Sequence, residues 1–250
     1  MPSRSHLIFD LETVPDYELY CAPEAQAGTE KLIPPPYAHI PVAIGVLWLD
    51  QDYSFKRLGV VGDDKEEQGE AAMLHDFVSF IDRHRPRLVT FNGRGFDLPV
   101  VAMRSLRHGL SLPWYYKGRD YRYRYTDEGH LDLCDFLSDH GASRYISLNI
   151  AARLIGLPGK MDVDGSQVEA LHRAGQLEKI RLYCLADVVQ TTFLFLRFQL
   201  LQGSLDLPKY HAAASGLLAA LEEDGRMQEL IELIDRPRLL LEEDAEKADR

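Results

Sequence analysis

Near the N-terminus an apolar run gives way to alternating apolar and acidic positions, His6-Leu-Ile-Phe-Asp-Leu-Glu12. That period belongs to a half-buried strand. Residues 42–49 and 53–61 read as second and third strands, and Asp50-Gln51-Asp52 between them suits a hairpin turn. Residues 66–85 carry Met73, Leu74, Phe77, Phe80 and Ile81 on one helical face. A short fourth strand, 87–91, is closed by Asn92-Gly93-Arg94-Gly95, and a helix over 97–109 follows. Residues 131–133 predict a fifth strand. From Ser147 the pattern turns helical, near 147–155, 166–174, 177–201, 209–223 and 226–234. A loop rich in Pro, Ala and Gly spans 21–41, and the charged tail from Glu242 is expected to fray. Strands first and helices later predict one α/β domain, 1–203, with a helical C-terminal extension, 204–250.

This pattern places acids where chemistry can use them. In a strand, i and i+2 project from one face, so Asp10 and Glu12 point to one spot while Phe9 and Leu11 face the core. Converging carboxylates are costly unless a cation neutralises them, although a strand ending in solvated acids has the same pattern. Asp97 stands where a helix starts after a Gly-flanked turn, before Leu98-Pro99, and equally suits an N-cap. Asn92 is either a turn residue or a donor to a nucleotide. Tyr183 and Asp187 lie i,i+4 on one helical face, with Cys184, Leu185 and Val188 inward. Taken alone, that pair is as consistent with a surface hydrogen bond.

Together, and in this order, these residues resemble the DEDD exonuclease superfamily in its tyrosine variant. The likeness is to the proofreading exonuclease domain of family B DNA polymerases and to stand-alone predicted 3′-5′ exonucleases related to it. Phe9-Asp10-Leu11-Glu12-Thr13 carries the first motif, Phe91-Asn92-Gly93 with Phe96-Asp97-Leu98-Pro99 the second, Tyr183-Cys184 with Asp187 the third. The likeness extends over 7–203 and includes Ile155-Gly-Leu-Pro-Gly-Lys160. It implies a ribonuclease H-like fold, a mixed five-stranded sheet flanked by helices. It also implies two divalent ions, Mg²⁺ or Mn²⁺, about 3.5–4 Å apart, held by Asp10, Glu12, Asp97 and Asp187, with Asp10 bridging both. Asp97 is expected to act through water. One ion would activate the attacking water, which Tyr183 orients, and the other would stabilise the leaving 3′ oxygen. Asn92, Thr13 and either Phe96 or Leu11 would contact the terminal nucleotide at a single-stranded 3′ end. An all-oxygen ligand set suits Mg²⁺ better than zinc.

Composition qualifies this picture. A net charge of −11 over 250 residues is unlike a protein that only coats nucleic acid, which should be basic, but composition alone favours neither class. A carboxylate-metal enzyme tolerates it, gripping its substrate through a local basic patch. Gly118-Arg119-Asp-Tyr121-Arg122-Tyr123-Arg124-Tyr125 is the candidate, with Arg122 and Arg124 on phosphate and three Tyr on the other face of an extended segment. An edge strand with buried Tyr and solvated Arg has the same pattern. Asp132 is expected to support the site or cap the next helix. Three widely spaced cysteines fit neither a disulfide framework nor a zinc site and read as buried thiols. The nine histidines lack metal-ligand spacing. No apolar run approaches a membrane span and no signal peptide is recognised, so no membrane association and a cytoplasmic location are expected.

Competing classes are a binding module of the same fold whose catalysis has decayed, an RNA exonuclease, and a nucleotide-binding oxidoreductase. The last is disfavoured because Asp97-Leu98 stand where the dinucleotide fingerprint needs its third glycine. Leu217, Leu218, Leu221, Leu230, Ile231 and Leu233 either pack on the core or dock a protein partner.

Overall fold

In the computed structural model of the protein, residues 4–20, 34–62, 69–161 and 165–242 are described. Cys21, the start of the helix expected from 66, and most of the charged tail lie outside them. Five strands form one sheet: β1 (His6–Pro15), β2 (His39–Leu49), β3 (Phe55–Val60), β4 (Arg87–Thr90) and β5 (His130–Asp132). Their order is β3-β2-β1-β4-β5. The first three are antiparallel, and β4 and β5 continue parallel to β1. This is the mixed sheet expected. The β2–β3 hairpin closes through Asp50 N–H on Ser54 O at 2.8 Å.

Alternation along β1 sorts its side chains between two cores. Leu7, Phe9 and Leu11 pack with Leu74, Phe77 and Ile81 of α1 (Glu70–His84) and Leu98 and Val101 of α2 (Asp97–Arg107). Ile8 and Val14 join the opposite core, built on α7 (Leu177–Leu201). A buried Arg104 clamps α2 to the end of β1, donating to Asp16 Oδ2 at 2.6 Å and through the rest of its fork to Glu70. The segment carrying Asp97 is thereby fixed against the strand carrying Asp10.

Several elements differ from the sequence expectation. Short helices α3 (Pro113–Tyr116) and α4 (Leu133–Leu137) flank β5. The stretch expected to be extended, 119–125, is a run of turns. Tyr121 is drawn into the core, donating its hydroxyl to Pro86 O at 2.8 Å, while Tyr123 and Tyr125 stay exposed. The expected one-face alternation of tyrosines is therefore absent. Further on lie α5 (Leu148–Leu154), capped by Ser147, α6 (Val168–Arg173), α8 (Leu207–Asp224), α9 (Gln228–Glu232) and an unforeseen α10 (Arg236–Leu240).

The helices after 203 share the core of α7. Tyr210, Leu217, Leu221, Leu230 and Leu239 are buried with Phe193 and Leu196. Arg197 on α7 donates to the Leu239 carbonyl at 2.8 Å. Of the leucines and isoleucine considered for partner docking, only Leu233 is exposed. One expectation needs correcting: α7 is long and apolar enough to cross a membrane, with a mean hydropathy of 1.3 in its most apolar window. That window is 72% buried inside this fold, the condition of a core helix.

Candidate active site

Asp10 and Glu12 leave β1 on the face opposite Phe9 and Leu11, as their spacing requires. That face meets α7. Gly45 pairs with Asp10 across β1–β2, and its N–H donates to Cys184 Sγ at 3.2 Å. A Cβ at Gly45 would stand 2.8 Å from that sulfur and 3.1 Å from Val188, so glycine is what lets α7 approach the sheet here. Cys184 in turn lies 3.4 Å from the Asp10 carbonyl. This contact brings Tyr183 and Asp187 over the acids of β1. Gly45 carries no signal in the sequence that marks it as part of a site.

Asp97 arrives from the other side. It is the first residue of α2 rather than its N-cap, and Phe96 occupies the cap position. Its Oδ1 accepts the Leu11 N–H at 3.0 Å, beyond Ile8 where β1 has parted from β4. The preceding turn is held by Asp132, whose carboxylate accepts from Asn92 N and Arg94 N, each at 2.8 Å, and also from Cys134 N at 3.1 Å. Asp132 thus supports the turn and caps α4, both roles considered for it. Asn92 adopts a left-handed φ of 66°. A Cβ on Gly93 would collide with Thr90 at 2.5 Å, so the turn needs its glycine.

The four acids share a cation-poor space in which Glu12 and Asp97 are buried and Asp10 and Asp187 partly so. Burial, followed by Asp97, Glu12 and Asp187, pushes the Asp10 carboxyl well above its usual range. Burial, Asp187 and Asp97 do the same to Glu12. Asp97 is raised to about 7 by burial, against the pull of backbone N–H donors. Asp187 is raised to about 6 by burial, moderated by the Tyr183 hydroxyl and by Lys160. Among the described residues Glu12 has no hydrogen-bond donor, although it is 93% buried by its 7% exposure. Clustered carboxylates that outnumber the cations beside them fit a divalent cation, and their hard oxygens fit Mg²⁺ or Mn²⁺. Asp10, Glu12 and Cys184 offer ligand atoms all within 4.8 Å of one another.

Sequence reasoning left two neighbours unassigned. His39 Nε2 faces the Pro34 carbonyl at 2.8 Å and Nδ1 faces Thr13 Oγ1 at 2.8 Å. A carbonyl only accepts, so Nε2 carries the hydrogen and Thr13 donates to Nδ1. The same ring stands edge-on to Phe96 at 4.8 Å. Lys160 is the other. Its N–H is held by Asn149 Oδ1 at 2.8 Å, and its charge acts on Asp187. Arg124 is committed to Asp135, at 3.1 and 2.6 Å, and the Arg122 guanidinium lies 5.0 Å from the Tyr116 ring.

The raised acids predict a pH signature. Between about pH 4 and 7 the folded protein holds protons on Asp97 and Asp187 that the unfolded chain has released, so these groups lose stability as pH rises. Buried neutral His6, His39 and His130, whose values are lowered, act in the opposite direction. The increment in melting temperature produced by Mg²⁺ or Mn²⁺ isolates the acids, because bound cation displaces their protons. It should be larger at pH 8 than at pH 5.5; thermal melts giving an equal or smaller increment at pH 8 would contradict the assignment.

Comparisons with known proteins agree with this arrangement. The sequence family described as predicted 3′-5′ exonucleases related to the exonuclease domain of PolB matches residues 32–235. Asn92, Asp97, Tyr183 and Asp187 fall inside the match, whereas Asp10 and Glu12 precede it and are brought to the others by β1. No curated protein matches the chain. The family B DNA polymerase of the hyperthermophilic archaeon Pyrobaculum calidifontis superposes with a TM-score of 0.54 at 21% identity, over 86% of this chain and 26% of that one. Exonuclease I of E. coli, in a zinc-bound complex with single-stranded DNA, gives 0.38 at 16% identity, over 82% of this chain and 46% of that one. The chain spans about a quarter of the polymerase's length and under half of exonuclease I's. The sheet order, its mixed pairing and the polymerase likeness give the expected ribonuclease H-like fold. With a family match running through most of its length, the protein belongs to the predicted 3′-5′ exonucleases related to the exonuclease domain of PolB.

Proposed function

We propose that the protein removes nucleotides from single-stranded 3′ ends, DNA in preference to RNA, using two divalent ions held by Asp10, Glu12, Asp97 and Asp187. The observation that carries this is the convergence of four carboxylates where β1, α2 and α7 meet, with Lys160, acting on Asp187, as the cation felt by the cluster among the described residues. Bound there, the cations would lower the pKa of the attacking water and stabilise the leaving 3′ oxygen. Asp97 already gives one oxygen to Leu11 N–H, which favours contact through water. Tyr183 has its ionisation pushed upward by burial and by Asp187, so it stays a neutral hydroxyl and orients the water rather than abstracting its proton.

Thr13, Asn92, Phe96 and Leu11 are our candidates for holding the terminal nucleotide. With its hydrogen given to His39, Thr13 Oγ1 is left as an acceptor, suited to a substrate hydroxyl. Of the two wedge candidates Phe96 is half-buried, while Leu11 is packed in the core, which favours Phe96.

The test is a 5′-labelled single-stranded DNA oligonucleotide incubated with Mg²⁺ or Mn²⁺, beside RNA of the same sequence and the Asp10→Ala/Glu12→Ala double variant. Expected is a ladder shortening from the 3′ end, faster on DNA and absent in the variant. A folded, metal-binding protein that cleaves neither strand would instead support a binding module of the same fold.

A further inference from the structure

Four of the six exposed tyrosines among the described residues lie together: Tyr116, Tyr123, Tyr125 and Tyr145, at 54, 56, 65 and 58% exposure. Their contacts make one continuous face. The Tyr123 and Tyr125 rings meet edge to face at 5.9 Å, and Tyr125 meets His140 at 4.9 Å. Arg124 donates to the Tyr145 hydroxyl at 3.2 Å. Arg122 spreads over the rings of Tyr115 and Tyr116.

This face continues into the candidate active site. Arg94, two residues before Phe96, donates to the Arg122 carbonyl at 3.0 Å. Its own backbone N–H is pinned by Asp132, in the turn that leads to Asp97. The charges divide into two sets. Arg124 is held by Asp135 and serves as scaffold. Lys117, Arg119 and Arg144 are exposed and, among the described residues, have no carboxylate partner. In a chain of net charge −11, free cations beside exposed rings mark where a polyanion is tolerated.

We propose that this face is a track for the single strand 5′ of the terminal nucleotide. Successive bases stack on Tyr123, Tyr125 and Tyr145, and the phosphates run along Lys117, Arg119 and Arg144. Stacking demands unpaired bases, because those of a duplex are already stacked on each other, so the track selects single strands. The inference rests on the nuclease reading for its direction, since the 3′ end must lie toward Asp97.

Fluorescence anisotropy in chelator separates the two, because binding is read without hydrolysis. The probes are fluorescein-labelled dT12 and dT3 and a 12-base-pair duplex. Tyr123→Ala and Tyr125→Ala should each weaken dT12 by about tenfold, with dT3 changed less than twofold, while Tyr125→Phe binds dT12 as the parent does. Lys117→Ala with Arg144→Ala should flatten the salt dependence of dT12 binding. Equal loss for dT3 and dT12, unchanged dT12 binding in the alanine variants, or duplex bound as tightly as dT12 would each overturn the track. Absence of hydrolysis with these binding differences intact would instead count against the nuclease reading alone.

Discussion

Asp10→Asn should abolish hydrolysis and, in the same molecule, raise the melting temperature of the metal-free protein. The first effect follows from removing the carboxylate that the other three acids surround. Divalent ions supply several kcal/mol of transition-state stabilisation, so loss of the site should cost on the order of 10³-fold or more in rate. The second follows from electrostatics. Asp10 is raised by burial and then by Asp97, Glu12 and Asp187, which means its charged form is opposed by its surroundings. An amide of the same shape removes that opposition at pH 8. Added Mn²⁺ should then stabilise the variant much less than the parent. An inactive variant that melts lower in chelator would show a structural role for Asp10 and would contradict a cluster in need of cations.

Asp132→Ala should produce a large loss of stability although Asp132 is outside the acid cluster. Its carboxylate is 2% exposed and accepts from the backbone of Asn92, Arg94 and Cys134, so alanine leaves these donors unsatisfied and uncaps α4. Hydrogen bonds to a charged acceptor contribute about 1.5–3 kcal/mol each, so a net loss of about 3 kcal/mol is expected. For a chain of this length that lowers the melting temperature by roughly 6–12 °C. Below the transition, activity should fall as well, because the turn that sets Phe96 and Asp97 loses its anchor. Asp132→Asn, which keeps one carbonyl oxygen, should lie between the two. Unchanged melting in Asp132→Ala would mean that the turn is held by other contacts.

The parts of this protein legible in its sequence were those governed by local period. The strand of Asp10 and Glu12, the core side of Phe9 and Leu11, and the bounds of the helix Leu177–Leu201 follow from spacing alone. Segments decided by long-range contacts were not legible. Alternating Tyr and Arg in 119–125 mimic a strand, but Pro86 and Trp114 draw Tyr121 inward, and among the described residues no strand pairs with this stretch. The last short helix is only five residues long, too short for its period to show in the sequence, and Pro237 is well placed at its start behind the Asp235 cap. Gly45 and Cys184 matter only where strand and helix meet, 139 positions apart. The acids are marked by family likeness; that they face one another with few cations beside them is visible only in the fold.

The helix that brings Tyr183 and Asp187 over β1 is gripped farther along by the C-terminal helices, through Arg197 on the Leu239 carbonyl and a shared core around Tyr210. Between Cys184 and Gln199 this helix is almost continuously buried, and a buried stretch of helix opens as a cooperative unit. Hydrogen exchange in the segment Leu207–Asp224 should therefore slow when a divalent ion occupies the acids, one of which, Asp187, stands near the middle of that helix. The C-terminal helices would then act as a remote reporter of metal occupancy.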